Sequence, residues 1–180
     1  MIEGRPDPDT LNLSSRIVQT NKVFKTHKGG KTASWNALVV VGDGNGYVGV
    51  ALGKARGIPD AIRKGEEAAK KALFKVPMLG VTLPHEVTAQ MGSSIVLMKP
   101  ASPGTGVVAG GAVRALLEAA GVHDVLAKSF GSRNAINMAW ATMRAFAALK
   151  DPDVTAKSRG KQPGSLMPWY VKTEEAAQDA

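Results

Sequence analysis

Five consecutive apolar residues, Ala37-Leu38-Val39-Val40-Val41, run directly into Gly42-Asp43-Gly44-Asn45-Gly46, and a second short apolar stretch occupies residues 47–52. β-Branched residues favour extended backbone, and a glycine cluster between two such runs reverses it, so a β-hairpin is predicted over residues 37–52. A hairpin of this kind needs a second layer to cover its apolar face. The chain supplies one. Pro59 suits a first helical turn, and Ile62, Ala69, Leu73 and Val76 recur at helical spacing, which predicts a helix from near Pro59 to near Lys75. On its outer face Glu66/Lys70 and Glu67/Lys71 stand four apart, where each pair partly neutralises itself.

Upstream, residues 1–13 are polar and read as a disordered lead. From Ser14 the pattern turns to strands: Ile17, Val18, Val23 and Phe24 flank a polar break, and His27-Lys28-Gly29-Gly30-Lys31 supplies a turn. Residues 77–80 form a break that divides the chain into units of residues 14–77 and 80–150. In the second unit, strands are predicted near residues 81–83, 85–90 and 94–98. A glycine-rich segment, 104–111, then leads into a helix through about Ala120, closed by Gly121 in the left-handed position that a helix end favours. A strand over 122–130 and an amphipathic helix over 134–149 follow, and residues 151–180 read as an extended polar tail. The fold class is α+β, in two small units.

The chain carries 23 Lys+Arg against 15 Asp+Glu, a net charge of +8. The excess is local: residues 22–75 hold 11 basic and 4 acidic side chains, a net of +7. A basic patch of this kind points to a polyanionic partner, nucleic acid or an acidic membrane surface. No apolar run approaches the roughly 18 residues of a membrane-spanning helix, and the first ten residues lack an apolar signal core, so a cytoplasmic protein is expected. With no cysteine, disulfides, thiolate metal sites and cysteine nucleophiles are excluded.

The remaining chemistry is sparse. His27, His85 and His123 lie in separate segments without metal-ligand spacing, and no catalytic residue, metal or cofactor is assigned. Gly44-x-Gly46-x-x-Gly49 matches a dinucleotide glycine pattern, but a strand follows where the motif requires a helix. A tight hairpin whose backbone approaches RNA closely fits it better. The 106–111 glycines have phosphate-loop spacing, yet Ala112 and Val113 stand where lysine and serine or threonine are needed. They serve either an RNA-backbone contact or close packing.

The informative feature is the basic loop. Lys22, Lys25, Lys28 and Lys31 bracket Gly29-Gly30, and Trp35 stands just beyond. Lysines at this density neutralise phosphates, and Trp35 either stacks on an exposed base or packs at a strand start. Lys54 and Arg56, on the turn before the first helix, extend what is expected to be one RNA-facing surface.

These residues resemble a known family. Lys28-Gly29-Gly30, the 37–46 run and Gly53-Lys54-Ala55-Arg56 are similar to the first domain of the ribosomal protein S-five family. Pro84-His85-Glu86, Lys99-Pro100-Ala101-Ser102-Pro103-Gly104-Thr105-Gly106, Ala109-Gly110-Gly111-Ala112-Val113-Arg114 and Gly131-Ser132-Arg133-Asn134 resemble its second. The resemblance covers about residues 15–150 in unbroken order. It implies a double-stranded-RNA-binding-like first domain and a second with a left-handed βαβ crossover. It further implies a structural, non-enzymatic place in the small ribosomal subunit, on ribosomal RNA beside proteins S-four and S-eight. That place lies near the decoding region and the messenger RNA path, with an influence on assembly and accuracy. The implied RNA contacts add Asn45, Tyr47, Arg133 and Asn134 to the basic loop, and Gly104, Thr105, Gly106, Gly110, Gly111 and Arg114 mark the segment facing S-four. Where the family usually carries Arg and two aromatics after Gly-Gly, this chain has Lys31-Thr32-Ala33-Ser34-Trp35.

Overall fold

The computed structural model describes residues 10–161. Its first sheet is antiparallel, with β1 (Ser14–His27), β2 (Gly30–Gly42), β3 (Tyr47–Ala55) and β4 (Phe74–Lys75) side by side in chain order. Helix α1 (Ile58–Lys71) crosses one face. The second sheet contains β5 (Val87–Met91), β6 (Ser94–Pro100), β7 (Val107–Val108) and β8 (Val125–Gly131), in the spatial order β5-β6-β8-β7. Its one parallel pair, β7 with β8, is joined through α2 (Gly111–Ala120), and α3 (Ala135–Ala148) and α4 (Pro152–Arg159) complete the described chain.

The unbroken apolar run of β2 has a direct cause: both faces of the strand are buried. Ala37, Val39 and Val41 pack with Ala51, Ala61 and Ala69 beneath α1. Leu38 and Val40, with Val48 and Val50, join a second cluster containing Leu83, Met98, Leu116 and Phe146. The two sheets therefore share one apolar core, and residues 77–80 do not separate two independent ones. The dinucleotide-like glycine pattern is absorbed here, because α1 lies almost on the backbone of β3. A Cβ added at Gly49 would stand 2.3 Å from the Ala69 carbonyl oxygen.

Several sequence expectations change. The first helix stops at Lys71, not Lys75. Phe74 and Lys75 pair instead with Val48 and Tyr47, and the Val76 amide donates to Gly46 O at 2.8 Å, because the outer edge of β3 offers unpaired backbone groups. Glu66 and Glu67 do not pair with Lys70 and Lys71: Glu66 accepts from the Ser15 hydroxyl at 2.8 Å, and Glu67 lies 3.9 Å from Arg63. β1 is one long strand with a register shift between Ile17 and Gln19, not two pieces around a break. Its Ile17 and Phe24 are exposed. No strand forms at 81–83; Thr82 makes isolated bridges to Leu79 and Asp124.

The tail also departs from its expected extended form, since residues 152–159 are helical. Asp151 caps this helix by accepting from the Asp153 amide, Pro152 occupies the first turn, and Gly160 ends it at φ +61°. Residues 1–9 of the expected lead and 162–180 of the tail lie outside the described residues.

Candidate nucleic-acid interface

β1 and β2 are longer than β3. The β2–β3 register ends at Trp35↔Ala55, whereas β1 and β2 continue to His27↔Gly30. A two-stranded arm thus runs roughly 17 Å past the last β3 contact, at about 3.4 Å per residue. Residues 22–35 contain four lysines and no carboxylate. Lys28 and Gly29 form the two-residue tip, and a Cβ placed on Gly29 would meet nothing within 4 Å.

The register decides which arm residues share a face. Lys22 opposes Trp35, Phe24 opposes Ala33, and Thr26 opposes Lys31, so these six lie on the side of the sheet that α1 covers further along. Lys25, opposite Thr32, and Lys54, opposite Asn36, lie on the other side. The expected single lysine surface is therefore not what the fold builds. Strand alternation distributes the ammonium groups around a thin ribbon. All of Lys22, Lys25, Lys28, Lys31, Lys54 and Arg56 are exposed, and among the described residues none of them forms an ion pair.

Trp35 is half-buried against the α1-side cluster. The Lys22 ammonium sits 5.8 Å from its ring centroid and 5.4 Å from that of Phe24. The sequence pattern marked Phe24 only as an apolar strand residue and gave it no place in the interface. The available signal was its two-residue spacing from Lys22, which in a strand places both on one face.

The β2–β3 turn behaves differently. Asp43 accepts the Asn45 and Tyr47 amides on Oδ1, at 2.8 and 3.0 Å, and fixes the turn. The Gly44 and Gly46 amides then donate to Ala119 O and Ala120 O, at 3.0 and 2.8 Å. An α-helix leaves its last carbonyls without internal partners. In α2, Leu117 O and Glu118 O accept from Val122 and Gly121, and the turn of the other sheet satisfies the next two. The glycines expected to approach RNA instead complete a helix end. Asn45 is exposed and Tyr47 half-buried, but seven register steps, about 23 Å, separate this turn from the base of the arm.

The second-unit glycines divide into two groups. Gly106 donates to Asp124 Oδ1 at 2.8 Å and the Thr105 hydroxyl donates to Ser102 O at 2.7 Å, which holds the loop that includes Gly104. Gly110 and Gly111, at the start of α2, have open space where a Cβ would stand, so packing within the chain does not require glycine there. A cleft of about 280 Å³ opens beside them, between β1 and the first turns of α2 and α3, with Arg16, Gln19, Arg114 and Ala135 among its walls. Asn134 caps α3 by accepting from the Ile136 amide at 3.0 Å, and neighbouring Arg133 is exposed.

His85 is structural: its Nδ1–H donates to Glu86 O at 2.7 Å and its Nε2 accepts from the Lys150 amide at 3.0 Å. Among the described residues no group of three or more His, Asp or Glu side chains is placed to hold a metal ion, and no helix is long and apolar enough to cross a membrane.

A shared-core α+β scaffold with a projecting, carboxylate-free lysine arm defines the class as a basic protein of two packed sheets. Comparison with known proteins is specific. Residues 13–77 match the family described as "Ribosomal protein S5, N-terminal domain", and residues 89–159 match "Ribosomal protein S5, C-terminal domain". The chain belongs to the ribosomal protein S5 family. It is similar to "Small ribosomal subunit protein uS5" of Syntrophobacter fumaroxidans, with 51% identity over 84% of this chain and 92% of that protein. It is also similar to the protein of the same name from Nocardia farcinica, with 54% identity over 83% of this chain and 68% of that one.

Proposed function

We propose that this chain is a structural constituent of the small ribosomal subunit, bound to ribosomal RNA and without catalysis of its own. In that role it resides on cytoplasmic ribosomes near the decoding region and the messenger RNA path, and contributes to subunit assembly and accuracy. The observation that carries the reading is the β1–β2 arm, with four lysines, no carboxylate, and no ion pair among the described residues. Ammonium groups disposed around a ribbon suit insertion between RNA strands, where phosphates lie on more than one side. Each contact releases condensed counterions, a gain that requires no base sequence.

Two working units follow from this reading. Residues 14–77 hold RNA through Lys22, Lys25, Lys28, Lys31, Lys54 and Arg56, with the Gly29-Gly30 turn allowing close approach. Residues 80–150 present the segment from Gly104 to Arg114 to protein S-four, and the chain lies beside protein S-eight as well. Arg133, beside the capped start of α3, adds a cation to this second unit.

Charge reversal at the arm tests the proposal. Lys28→Glu combined with Lys31→Glu should weaken binding of the full chain to small-subunit RNA. In a filter-binding titration the dependence of log affinity on log salt should flatten by roughly 0.7 to 0.9 per lost contact. Both side chains are exposed, so the circular dichroism spectrum should not change. A salt slope equal to the unaltered chain's rejects these lysines as phosphate contacts.

A further inference from the structure

We propose that Phe24 and Trp35, bridged by Lys22, form a stacking ledge for an unpaired RNA base on the α1-side face of the arm. The proposal rests on the RNA-binding reading above and adds a ligand class that charge alone does not specify. Three observations support it. Phe24 is 59% exposed, although its partner across the ladder, Ala33, is too small to cover the ring. Trp35, diagonally adjacent, is anchored at its inner edge by the cluster under α1, so the platform is fixed to the body of the protein. Lys22 places its ammonium within 6 Å of both ring centroids, and Lys31 lies on the same face.

An exposed aromatic ring flanked by cations, on a segment lacking carboxylates, is complementary to a flat ring joined to phosphates. A nucleotide has that composition. Paired bases inside an RNA helix present only their edges, so a ring such as Phe24 can be covered by a base only where that base is out of its stack. The ledge therefore selects a bulged or looped nucleotide. The lysines on the opposite face and at the tip contact phosphates irrespective of pairing.

The test uses the full chain and two probes: a fully paired RNA duplex, and the same duplex carrying one bulged 2-aminopurine, whose fluorescence falls on stacking. The unaltered chain should bind the bulged probe about tenfold more tightly and quench it, in line with the stacking of one base on an aromatic side chain. Phe24→Leu, which keeps an apolar strand residue but removes the π-face, should abolish both the preference and the quenching. Its duplex affinity and salt slope should stay unchanged, and Phe24→Tyr should restore preference and quenching. The ledge is rejected if Phe24→Leu retains the preference, or loses equal affinity for both probes. It is also rejected if Phe24→Leu weakens only the association with other ribosomal proteins, which would make the ring a protein contact. Lysine-dependent duplex binding with no bulge preference overturns the ledge alone, whereas binding of neither probe overturns the RNA reading with it.

Discussion

Two glycine turns of the same sheet meet opposite fates. The β1–β2 turn, Lys28-Gly29, ends the arm that runs past β3, while the β2–β3 turn delivers the Gly44 and Gly46 amides to the last carbonyls of α2. Both are glycine-containing turns between two strands. What separates them is whether an unsatisfied backbone acceptor lies within reach. Buried carbonyls at a helix end demand donors, and a turn without side chains can approach closely enough to provide them. At the arm tip, a Cβ on Gly29 or Gly30 would meet nothing within 4 Å, and no helix end among the described residues is capped there. One turn joins the two units of the protein, and the other stands at the exposed tip of the arm proposed to contact RNA.

The contrast can be broken by adding a side chain at the joint. Gly121 adopts φ +85°, and a Cβ there would lie 1.9 Å from Gly44 O. Gly121→Val combines left-handed strain with overpacking and should cost about 4 kcal/mol or more, measured by urea denaturation of the whole chain. Gly29→Ala, with open space around it, should change stability in the same measurement by less than about 0.5 kcal/mol. Equal losses at the two sites would show that the turns do not differ as described.

A smaller effect sharpens the comparison. Leu116, fully buried in the core shared by both sheets, should cost about 3 kcal/mol on change to Ala. The loss should appear as one transition displaced as a whole when followed both by Trp fluorescence and by far-UV dichroism. Separate transitions would show that the two sheets melt independently. Small too should be the effect of Arg16→Ala, which removes an ion pair with Glu118 whose side chains are 57% and 38% exposed. Solvent screening holds its contribution below about 1 kcal/mol, so the β2–β3 turn, and not this ion pair, should hold α2 to the first sheet.

Much of the layout was legible in the chain. The hairpin over residues 37–52, a helix after Pro59, the close of α2 at Gly121 and the helix after Asn134 each follow from local signals of periodicity or capping. The missed helix α4 carried such signals too, in Asp151-Pro152 and Gly160. Other features had no local signature. Leu73 and Val76 are buried, as their helical spacing implied, yet they lie past the end of α1 because the edge of β3 recruits the neighbouring Phe74 and Lys75. The dispersal of the lysines around the arm depends on a strand register that composition does not contain.

Sequence alone determined many of the elements, the basic character of residues 22–75, the absence of cysteine chemistry and the family, because propensity, periodicity, charge and motif order are all properties of neighbours along the chain. Tertiary structure decided which lysines share a face, that Phe24 stands beside Lys22 and Trp35, and that Gly44 and Gly46 serve α2. Each of these depends on groups far apart in the chain, and only the pairing of strands and the burial of unsatisfied carbonyls bring those groups together.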